Sequence, residues 1–352
     1  MRYRIGIDIS GGDYAPLEPL KGAIWAQKEI NDKVVLIGDR KEIEQTMGEL
    51  QNKEKIKIEI EDLEVVDAPE KIEMDDLAAM SIRKKRNSSI VVGIDLLKKG
   101  KIDAFVSCGN TGAVVSASTL MLRLIEGVER PGISVFVPTA KDVSLLIDVG
   151  ANVNPKPLHL LQYGIMASLY YSLVLNKKDV TVGLLNIGEE ETKGPDFVRT
   201  VHKLFSSAPI NFIGNLEAKD IFTGKCNCII CDGFVGNIAL KLSEGLVEVV
   251  GKFLTDAIKN DPLSKLGLIF IHRSIGKFKS LVDYAEYGGA PLLGVNGVVI
   301  IGHGRSNSKA VKNAIKVAIK ELNRDVIGEI RGRLKEIYQN NSIKELISLA
   351  TQ

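Results

Sequence analysis

The stretch Ala104-Phe105-Val106-Ser107-Cys108-Gly109-Asn110-Thr111-Gly112 indicates the fold of this 352-residue chain. A short apolar run that ends in a glycine–asparagine turn predicts a strand covered on both faces, as in a parallel sheet. Similar stretches recur at 145–152, 182–190, 228–237 and 298–304. The sequence therefore predicts an α/β protein with a largely parallel sheet.

The loops after these strands are the predicted ligand site. In open parallel sheets the loops beyond the carboxyl ends of the strands gather in one crevice. Glycine lets the backbone approach a ligand closely, and its main-chain N–H groups suit anions. We therefore expect one crevice that binds an anion.

The composition excludes some classes of protein. The net charge of +2 gives no overall field that would attract nucleic acid, so no nucleic-acid partner is expected. The chain enters a strand at once, without a signal-peptide pattern, and no apolar run reaches the length of a bilayer span. These features predict a cytoplasmic protein.

No low-complexity linker divides the chain, which predicts one catalytic domain over 1–332 and a helical tail over 333–352. Two segments leave alternatives. Cys226, Cys228 and Cys231 cluster around an Ile-Ile pair of a predicted strand, which favours buried reduced thiols over a metal site. Residues 261–281 alternate apolar and basic side chains, as in helices packed on the core or a second subunit, or in a basic amphipathic patch on anionic lipid.

Three loops and a basic segment carry candidate chemistry. The helix after Gly109-Asn110-Thr111-Gly112 could hold phosphate on its unpaired N–H groups, or Asn110 could simply cap it. Lys193 follows a strand within a run of glutamates, and we expect it to contact the anion while the glutamates orient it. His303 lies between glycines at a strand end and could move protons, or a carbonyl could fix its ring. The basic run of Arg83, Lys84, Lys85 and Arg86 could dock an acidic partner or be a solvated helix end.

Taken together, these loops resemble the phosphate acyltransferase family of bacterial phospholipid synthesis, PlsX. The matching stretches span the chain in family order: Gly11-Gly12-Asp13, 107–113 (SCGNTGA), 148–152 (DVGAN), 184–194 (LLNIGEEETKG), 211–215 (NFIGN), 231–237 (CDGFVGN) and 286–297 (EYGGAPLLGVNG). One departure is Tyr14, where the family commonly has histidine after Gly-Gly-Asp, so a mechanism that needs that imidazole is not expected here.

The resemblance implies transfer of a fatty acyl group from acyl carrier protein to inorganic phosphate, giving an acyl phosphate for the next acyltransferase. It implies a three-layer α/β/α fold similar to the isocitrate and isopropylmalate dehydrogenases, a homodimer and peripheral membrane association. Because acyl carrier protein is acidic, the resemblance makes residues 83–86 its expected docking patch.

The chemistry suits these residues. Phosphate is largely dianionic at neutral pH and a thiolate leaves readily, so the reaction mainly needs positioning and oxyanion stabilisation. We expect direct attack without an acyl-enzyme, and neither metal nor organic cofactor. The expected catalytic residues are Lys193, Asn237 and His303. The expected phosphate-binding residues are Asn110, Thr111, Gly112, Asn186, Gly188, Gly233, Gly236, Ser306 and Asn307.

Other functions stay open at this point. A phosphate acetyltransferase acting on acetyl-CoA would share the fold and the reaction type. A metal- and nucleotide-dependent dehydrogenase would need a paired Asp motif that the chain lacks. A non-catalytic scaffold for lipid or carrier protein is the remaining alternative.

Overall fold

A computed structural model describes residues 2–54, 63–260 and 288–339, together with Arg273, Gly276 and Glu286. The strands are β1 Arg4–Asp8, β2 Lys33–Gly38, β3 Glu64–Asp67, β4 Ala104–Ser107, β5 Gly132–Pro138, β6 Val143–Ile147, β7 Thr181–Leu185, β8 Asn211–Leu216, β9 Cys228–Ile230, β10 Ala290–Leu293 and β11 Val298–Ile301. Residues 56–60, whose alternation of apolar and charged side chains predicts an edge strand, lie outside the described residues.

The helices lie between these strands. They are α1 Leu17–Glu29, α2 Arg40–Glu54, α3 Ala78–Lys84, α4 Ser89–Lys98, α5 Thr111–Ala117, α6 Pro157–Leu175, α7 Asp196–Ser206, α8 Gly233–Asn260, α9 Ser308–Asn323 and α10 Val326–Gln339. A π-helical turn at Ser118–Leu122 extends α5, and a 3₁₀ turn occupies Ala218–Phe222.

The strands form one sheet in the order β3-β2-β1-β4-β11-β10-β5-β6-β9-β7-β8. Pairing is parallel from β3 to β11 and again from β6 to β8. In between, β10 runs antiparallel to β11 and β5, and β5 runs antiparallel to β6. The strands of the second parallel half therefore run in the opposite direction to those of the first half, and the carboxyl ends of the two halves face each other.

The pairing register also staggers the two halves. Ile300, near the end of β11, pairs with Pro291, and Ile147, the last residue of β6, pairs with Ser134. Ser134 lies level with Pro291 and donates from its hydroxyl to the Pro291 carbonyl (3.3 Å). The strands of the two halves thus end at the same level, although they arrive from opposite directions.

Helices cover both faces of the sheet, which confirms the predicted three-layer α/β/α arrangement. On one face α1 and α9 pack through Leu20 and Ile315 against Ile5 and Ile7. On the other face, Ile94 of α4 and Val114 of α5 pack with Phe105. Over the second half, α6 and α10 pack on β6 and β9.

Helix α6 corrects one expectation from the sequence. It is long and apolar enough to cross a membrane, although the sequence was expected to hold no such run. However, 72% of its apolar window is buried inside the protein, where Tyr163 and Tyr170 join the core over β6. A helix buried in this way reads as a core helix.

Candidate active site

The carboxyl ends of β1 and β4 meet around a buried carboxylate, Asp8. Its Oδ2 accepts from the Ser107 hydroxyl (2.6 Å) and its Oδ1 from the Ser10 N–H (3.1 Å). Further hydrogen bonds come from the Ser89 side chain and the Gly11 main chain; burial nevertheless raises the pKa of Asp8. We call Asp8, Ser10, Gly11, Ser89 and Ser107 the Asp8 cluster.

The loop after β4 holds its own backbone through Asn110. The Asn110 Oδ1 accepts from the Ala113 N–H (3.0 Å) and so caps α5. Its Nδ2 lies within 3.1 Å of the carbonyl oxygens of Glu73, Met74 and Asp76. The side chain is therefore committed to the fold, as in the capping alternative, and only main-chain groups and the exposed Thr111 and Gly112 are left to meet a ligand.

The loop after β11 lies beside the Asp8 cluster. The Gly302 N–H donates to the Ser107 carbonyl (2.8 Å), the Asp13 N–H donates to the Gly304 carbonyl (2.7 Å), and the buried Ser306 hydroxyl bonds the Cys108 thiol. The structure thus brings Ser306 next to the 107–112 loop, as the sequence predicts.

The start of α9 is already occupied. Asn307 caps the helix, its Oδ1 accepting from the Ala310 N–H (3.0 Å). The Glu18 carboxylate accepts from both the N–H (2.6 Å) and the hydroxyl of Ser308. A carboxylate at this helix end opposes a second anion, so the structure gives no support to phosphate at Asn307.

A second buried carboxylate, Asp148, follows β6 in the second half of the sheet. It accepts from four main-chain N–H groups, those of Ile133 (3.0 Å), Gly150 (3.1 Å), Ala151 (2.9 Å) and Asn152 (2.7 Å). These hydrogen bonds lower the pKa of Asp148, but burial has the larger effect and raises it. We call Asp148 and its four donors the Asp148 cluster.

The glycines at the start of α8 fit against this cluster. A Cβ at Gly233 would lie 2.6 Å from the Asn152 carbonyl oxygen, and one at Gly236 would overlap the main chain of Asp148. Both were expected to let a ligand approach, but it is the protein's own backbone that approaches them. Asn237 follows on the same helix, exposed and near Gly150.

The loop after β7 carries Lys193, which is exposed. The Asn186 Nδ2 donates to the Lys193 carbonyl (3.1 Å), so Asn186 closes the loop, and Gly188 is buried against Glu190 and Lys193. Glu189 pairs with Lys225 (2.8 Å), which lowers the pKa of Glu189. Within the described part of the chain no carboxylate pairs with the Lys193 ammonium, and the orienting role of the glutamates stays a prediction.

The two halves of the sheet approach the expected crevice from opposite directions. Asn110 and Ser306 follow strands of the first half, while Lys193 and Asn237 follow strands of the second half, which runs the opposite way and ends at the same level. Five inter-strand spacings, about 24 Å, separate β11 from β7. Apolar strand runs carry no sign of strand direction, so the reversal at β10 and β5 was not visible in the sequence.

Helix α8 contacts loops of both halves of the sheet, and this is what sequence reasoning missed. Asn237 faces Gly150 beside the Asp148 cluster, and one turn later the Lys241 Nζ lies 2.8 Å from the His303 Nε2 in the loop after β11. Lys241 also pairs with Glu244 (2.8 Å). The spacing i, i+4, i+7 places Asn237, Lys241 and Glu244 on one side of the helix, a signal that could have been found.

His303 is held in one orientation. The Arg305 N–H donates to its Nδ1 (3.1 Å), so the proton of the neutral ring lies on Nε2. Burial and the nearby Lys241 lower the pKa of His303, while Glu244 and Asp13 act in the opposite direction. The imidazole is therefore neutral near pH 7.

The basic segment at the end of α3 lies close to the 107–112 loop. Lys85 pairs with Asp76 (2.5 Å), which lowers the pKa of Asp76, and Asp76 in turn belongs to the segment held by Asn110. Arg83, Lys84 and Arg86 are exposed, as are the apolar side chains of Met74, Leu77 and Met80. Lys85 is thus already neutralised, whereas the other three cations face solvent.

The remaining predicted features are as follows. All four cysteines are buried and free of disulfides, as expected. The segment 261–281 lies outside the described residues except for Arg273 and Gly276. The preceding helix α8 exposes a long apolar face, on which Leu242 is 70% and Phe253 67% exposed.

Comparisons with known proteins agree on one family. A family model described as fatty acid synthesis protein matches residues 3–329. A phosphate acyltransferase of Dictyoglomus thermophilum is 46% identical over 92% of this chain and 96% of its own length. That of Desulforudis audaxviator is 42% identical over 96% of this chain and 98% of its own.

Solved structures show the same fold at low identity. The EutD phosphotransacetylase from Staphylococcus aureus is 16% identical with a TM-score of 0.58, covering 91% of this chain and 94% of its own. A phosphotransacetylase from Streptococcus pyogenes is 14% identical with a TM-score of 0.59, covering 92% of this chain and 94% of its own.

Proposed function

This chain belongs to the phosphate acyltransferase (PlsX) family of fatty acid synthesis proteins and is an acyltransferase, and we propose that it moves a long-chain acyl group from acyl carrier protein to inorganic phosphate. The product is an acyl phosphate, the activated acyl donor for the next acyltransferase of phospholipid synthesis. The observation that carries the proposal is helix α8, on which Asn237 and Lys241 contact loops of the two halves of the sheet, where both reactants would be held.

The reaction needs no covalent enzyme intermediate. A phosphate oxygen attacks the carbonyl carbon of the thioester, and the tetrahedral oxyanion collapses as the C–S bond breaks. The sulfur leaves as a thiolate and takes a proton from solvent. The protein's part is to align the two reactants and stabilise the oxyanion.

We assign the residues as follows. The exposed amide of Asn237, which makes no hydrogen bond within the described chain, would donate to the carbonyl oxygen. The main chain around Thr111 and Gly112, with Ser306, would line the phosphate side, and the neutral His303 would donate from Nε2. Lys193 would contact an anionic group of the donor at the Asn237 edge.

The direct test is product formation. Purified protein is given palmitoyl-loaded acyl carrier protein and radiolabelled orthophosphate, and the acyl phosphate is extracted into organic solvent. We expect label in this mixed anhydride with the carrier donor and little with acetyl-CoA, and hydroxylamine should release that label as orthophosphate while forming the acyl hydroxamate. Product from acetyl-CoA alone would instead indicate a phosphate acetyltransferase, and no product from either donor, with carrier or lipid binding intact, would indicate a scaffold.

Two variants test the assigned roles. Asn237→Ala should reduce kcat by about 10²-fold, as for loss of an oxyanion donor. Lys193→Ala should raise the KM for the acyl donor. Unchanged kinetics in either variant would reject the role assigned to that residue but would not contradict the proposed reaction.

Acyl carrier protein would dock on the end of α3. Three exposed cations, Arg83, Lys84 and Arg86, lie next to three exposed apolar side chains and beside the 107–112 loop. This combination suits an acidic partner with an apolar contact area. Charge reversal at Arg83 and Lys84 should raise the carrier KM strongly, and Lys98 with Lys101, exposed at the other end of α4, is the matched control pair.

The apolar face of α8 would be covered by a second subunit or by the surface of the cytoplasmic membrane. Single exposed apolar residues are ordinary, but a contiguous face marks an interaction site. Analytical ultracentrifugation and vesicle flotation of the full chain distinguish a homodimer from peripheral membrane association. A monomer that does not bind anionic vesicles would exclude both the homodimer and the membrane association.

A further inference from the structure

We propose that Asn215 and Arg199 are positioning residues, which hold the main chain around Lys193 in place for the acyl donor. The inference deepens the proposed function and rests on it for the role of Lys193. None of the groups assigned to the reaction comes from the stretch 211–215 (NFIGN) or from helix α7. Both segments nevertheless bond to the loop that carries Lys193.

On one side of Lys193 the loop is held by β8. The Asn215 Nδ2 donates to the Glu190 carbonyl (3.0 Å), and the Lys193 N–H donates to the same oxygen (3.1 Å). Glu190 and Lys193 are the first and last residues of a four-residue turn, so Asn215 ties this turn to the end of the strand. The Lys193 N–H and the Asn215 amide thus share one acceptor.

On the other side the loop is held by β7 and α7. The Asn186 Nδ2, directly after β7, donates to the Lys193 carbonyl (3.1 Å). The Arg199 guanidinium on α7 donates to the Gly194 carbonyl (2.7 Å) and pairs with Asp196. The main chain is therefore fixed before and after Lys193 by side chains from separate elements.

The Lys193 side chain, by contrast, is unengaged. It is exposed, and among the described residues its ammonium has no hydrogen-bond or ion-pair partner. Ordering a main chain costs conformational entropy, and a loop that is ordered in advance avoids this cost when a ligand binds. A fixed main chain with an unengaged side chain is the arrangement expected of a residue that contacts a ligand.

A β-bulge precedes Asn215. The pairing of β8 with β7 shifts between Phe212 and Asn215, where β8 contains one extra residue. Gly214 in this bulge has a φ of +98°, a conformation that favours glycine. An extra residue reverses the side-chain alternation that follows it, and bulges often re-aim a side chain next to an active site. The bulge in β8 therefore sets the direction of the Asn215 side chain.

The Asn215 side chain contributes little to the stability of the sheet. It is buried, with 4% of its surface exposed, and its Oδ1 has no hydrogen-bond partner within the described residues. A buried acceptor without a donor lowers stability, which offsets the gain from the bond to Glu190. An apolar residue of similar size removes both effects. Asn215→Leu should therefore unfold at nearly the wild-type denaturant concentration while the loop loses its tether.

Hydrogen exchange followed by mass spectrometry tests the tether without any substrate. In Asn215→Leu and in Arg199→Met we expect amides of the segment 187–194 to exchange about tenfold faster, because each variant removes one hydrogen bond of the loop. Asn215→Ala, which also lacks the donor, takes the place of the leucine variant if that variant does not fold.

Two matched controls change similar side chains elsewhere. The Asn227 Oδ1 accepts from the Thr181 N–H (3.0 Å) at the start of β7, away from the loop. Asn227→Leu should lower stability but leave the exchange of 187–194 unchanged. Lys203 is exposed one turn beyond Arg199 on α7, and Lys203→Met should change neither.

Steady-state kinetics test whether the tether acts through Lys193. With palmitoyl-loaded acyl carrier protein as donor, Asn215→Leu should raise the donor KM about fivefold to tenfold and leave kcat nearly unchanged. In a Lys193→Ala background the same substitution should raise the KM no further, because both changes remove one interaction. A residue that only supported the fold would raise the KM by the same factor in both backgrounds.

The outcomes are separable from those of the proposed function. Unchanged exchange of 187–194 in Asn215→Leu or Arg199→Met overturns the role of that residue, whether or not acyl phosphate is made. An equal rise in KM with and without Lys193 overturns the inference as well. Faster exchange in these two variants, with no acyl phosphate from the wild type, would reject the proposed function and leave the positioning of the Lys193 main chain standing.

Discussion

The Asp8 and Asp148 clusters place the same chemical group at the same kind of strand end but use it differently. Asp148 accepts four main-chain N–H bonds, three of them from the loop that follows it directly. Asp8 accepts from side chains far away in sequence, including Ser107 on β4 and Ser89 on α4. One carboxylate shapes a loop, and the other ties separate elements together.

The difference predicts which substitutions each strand end tolerates. The loop after β6 depends on the Asp148 carboxylate alone. The contacts around Asp8 come partly from serine hydroxyls, so some hydrogen bonds remain when one partner is lost.

The largest effect is expected from Asp148→Ala. It leaves four main-chain N–H groups without their acceptor, that of Ile133 buried and those of the 150–152 loop partly buried, so we expect a loss of about 3 kcal/mol or more of unfolding free energy. Asp8→Ala should cost less, because two of its four donors are serine hydroxyls that can rotate to another acceptor. Denaturant titration measures both, with Asp95→Ala at the surface as the control; equal losses for Asp8 and Asp148 would contradict the comparison.

A third buried carboxylate sharpens the comparison. Among the described residues Glu321 accepts only the Tyr170 hydroxyl (3.0 Å), and burial raises its pKa to about 8. The folded state thus keeps a proton that the unfolded state loses near pH 4.5, so stability should fall as pH rises between those values. We expect about 2–3 kcal/mol to be lost between pH 5 and pH 7 relative to Glu321→Gln, which removes the titration. Parallel stability–pH curves for the two proteins would refute this.

The contact between α8 and the Asp148 cluster can be broken with one methyl group. Gly236→Ala places a Cβ into the main chain of Asp148, so α8 must shift, at about 2–3 kcal/mol, and turnover should fall. Gly245→Ala is the matched control on the same helix, because nothing lies within 4 Å of its Cβ. Its substitution should stabilise the helix by up to about 1 kcal/mol. Similar behaviour of the two variants would argue against close packing at Gly236.

The smallest effect distinguishes two asparagine caps. Asn307→Ala loses only the cap of α9, about 1 kcal/mol. Asn110→Ala also frees the segment 73–76, so we expect about 2 kcal/mol in thermal or denaturant unfolding. Equal losses would mean that the three carbonyl contacts of Asn110 add nothing.

Much of the fold could be predicted from local patterns. The apolar runs at 104–107 and 298–301 are strands, as the sequence predicts. Helix α3 begins only at Ala78, because Asn110 holds the preceding segment in a non-helical path. Helix α10 runs through residue 333, the expected start of the tail.

The candidate site was less predictable because it depends on strand direction and on contacts between distant segments. The GNTG loop and Ser306 meet as expected, since β4 and β11 are parallel neighbours. Lys193 does not join them, since the sheet reverses between. The pairing of Lys241 with His303, 62 positions apart, has no local signal at all.

The stretch from Asn237 to Lys241 is about one helical turn, and it sets the distance between these two side chains. Its length is set by main-chain hydrogen bonds within a helix, so the loops that Asn237 and Lys241 contact can vary in length without changing the distance between these two residues. Inserting a single residue there would turn Lys241 by about 100° away from His303 while leaving every strand in place. Register along one helix, rather than the sheet, sets the spacing at which the two substrates would meet.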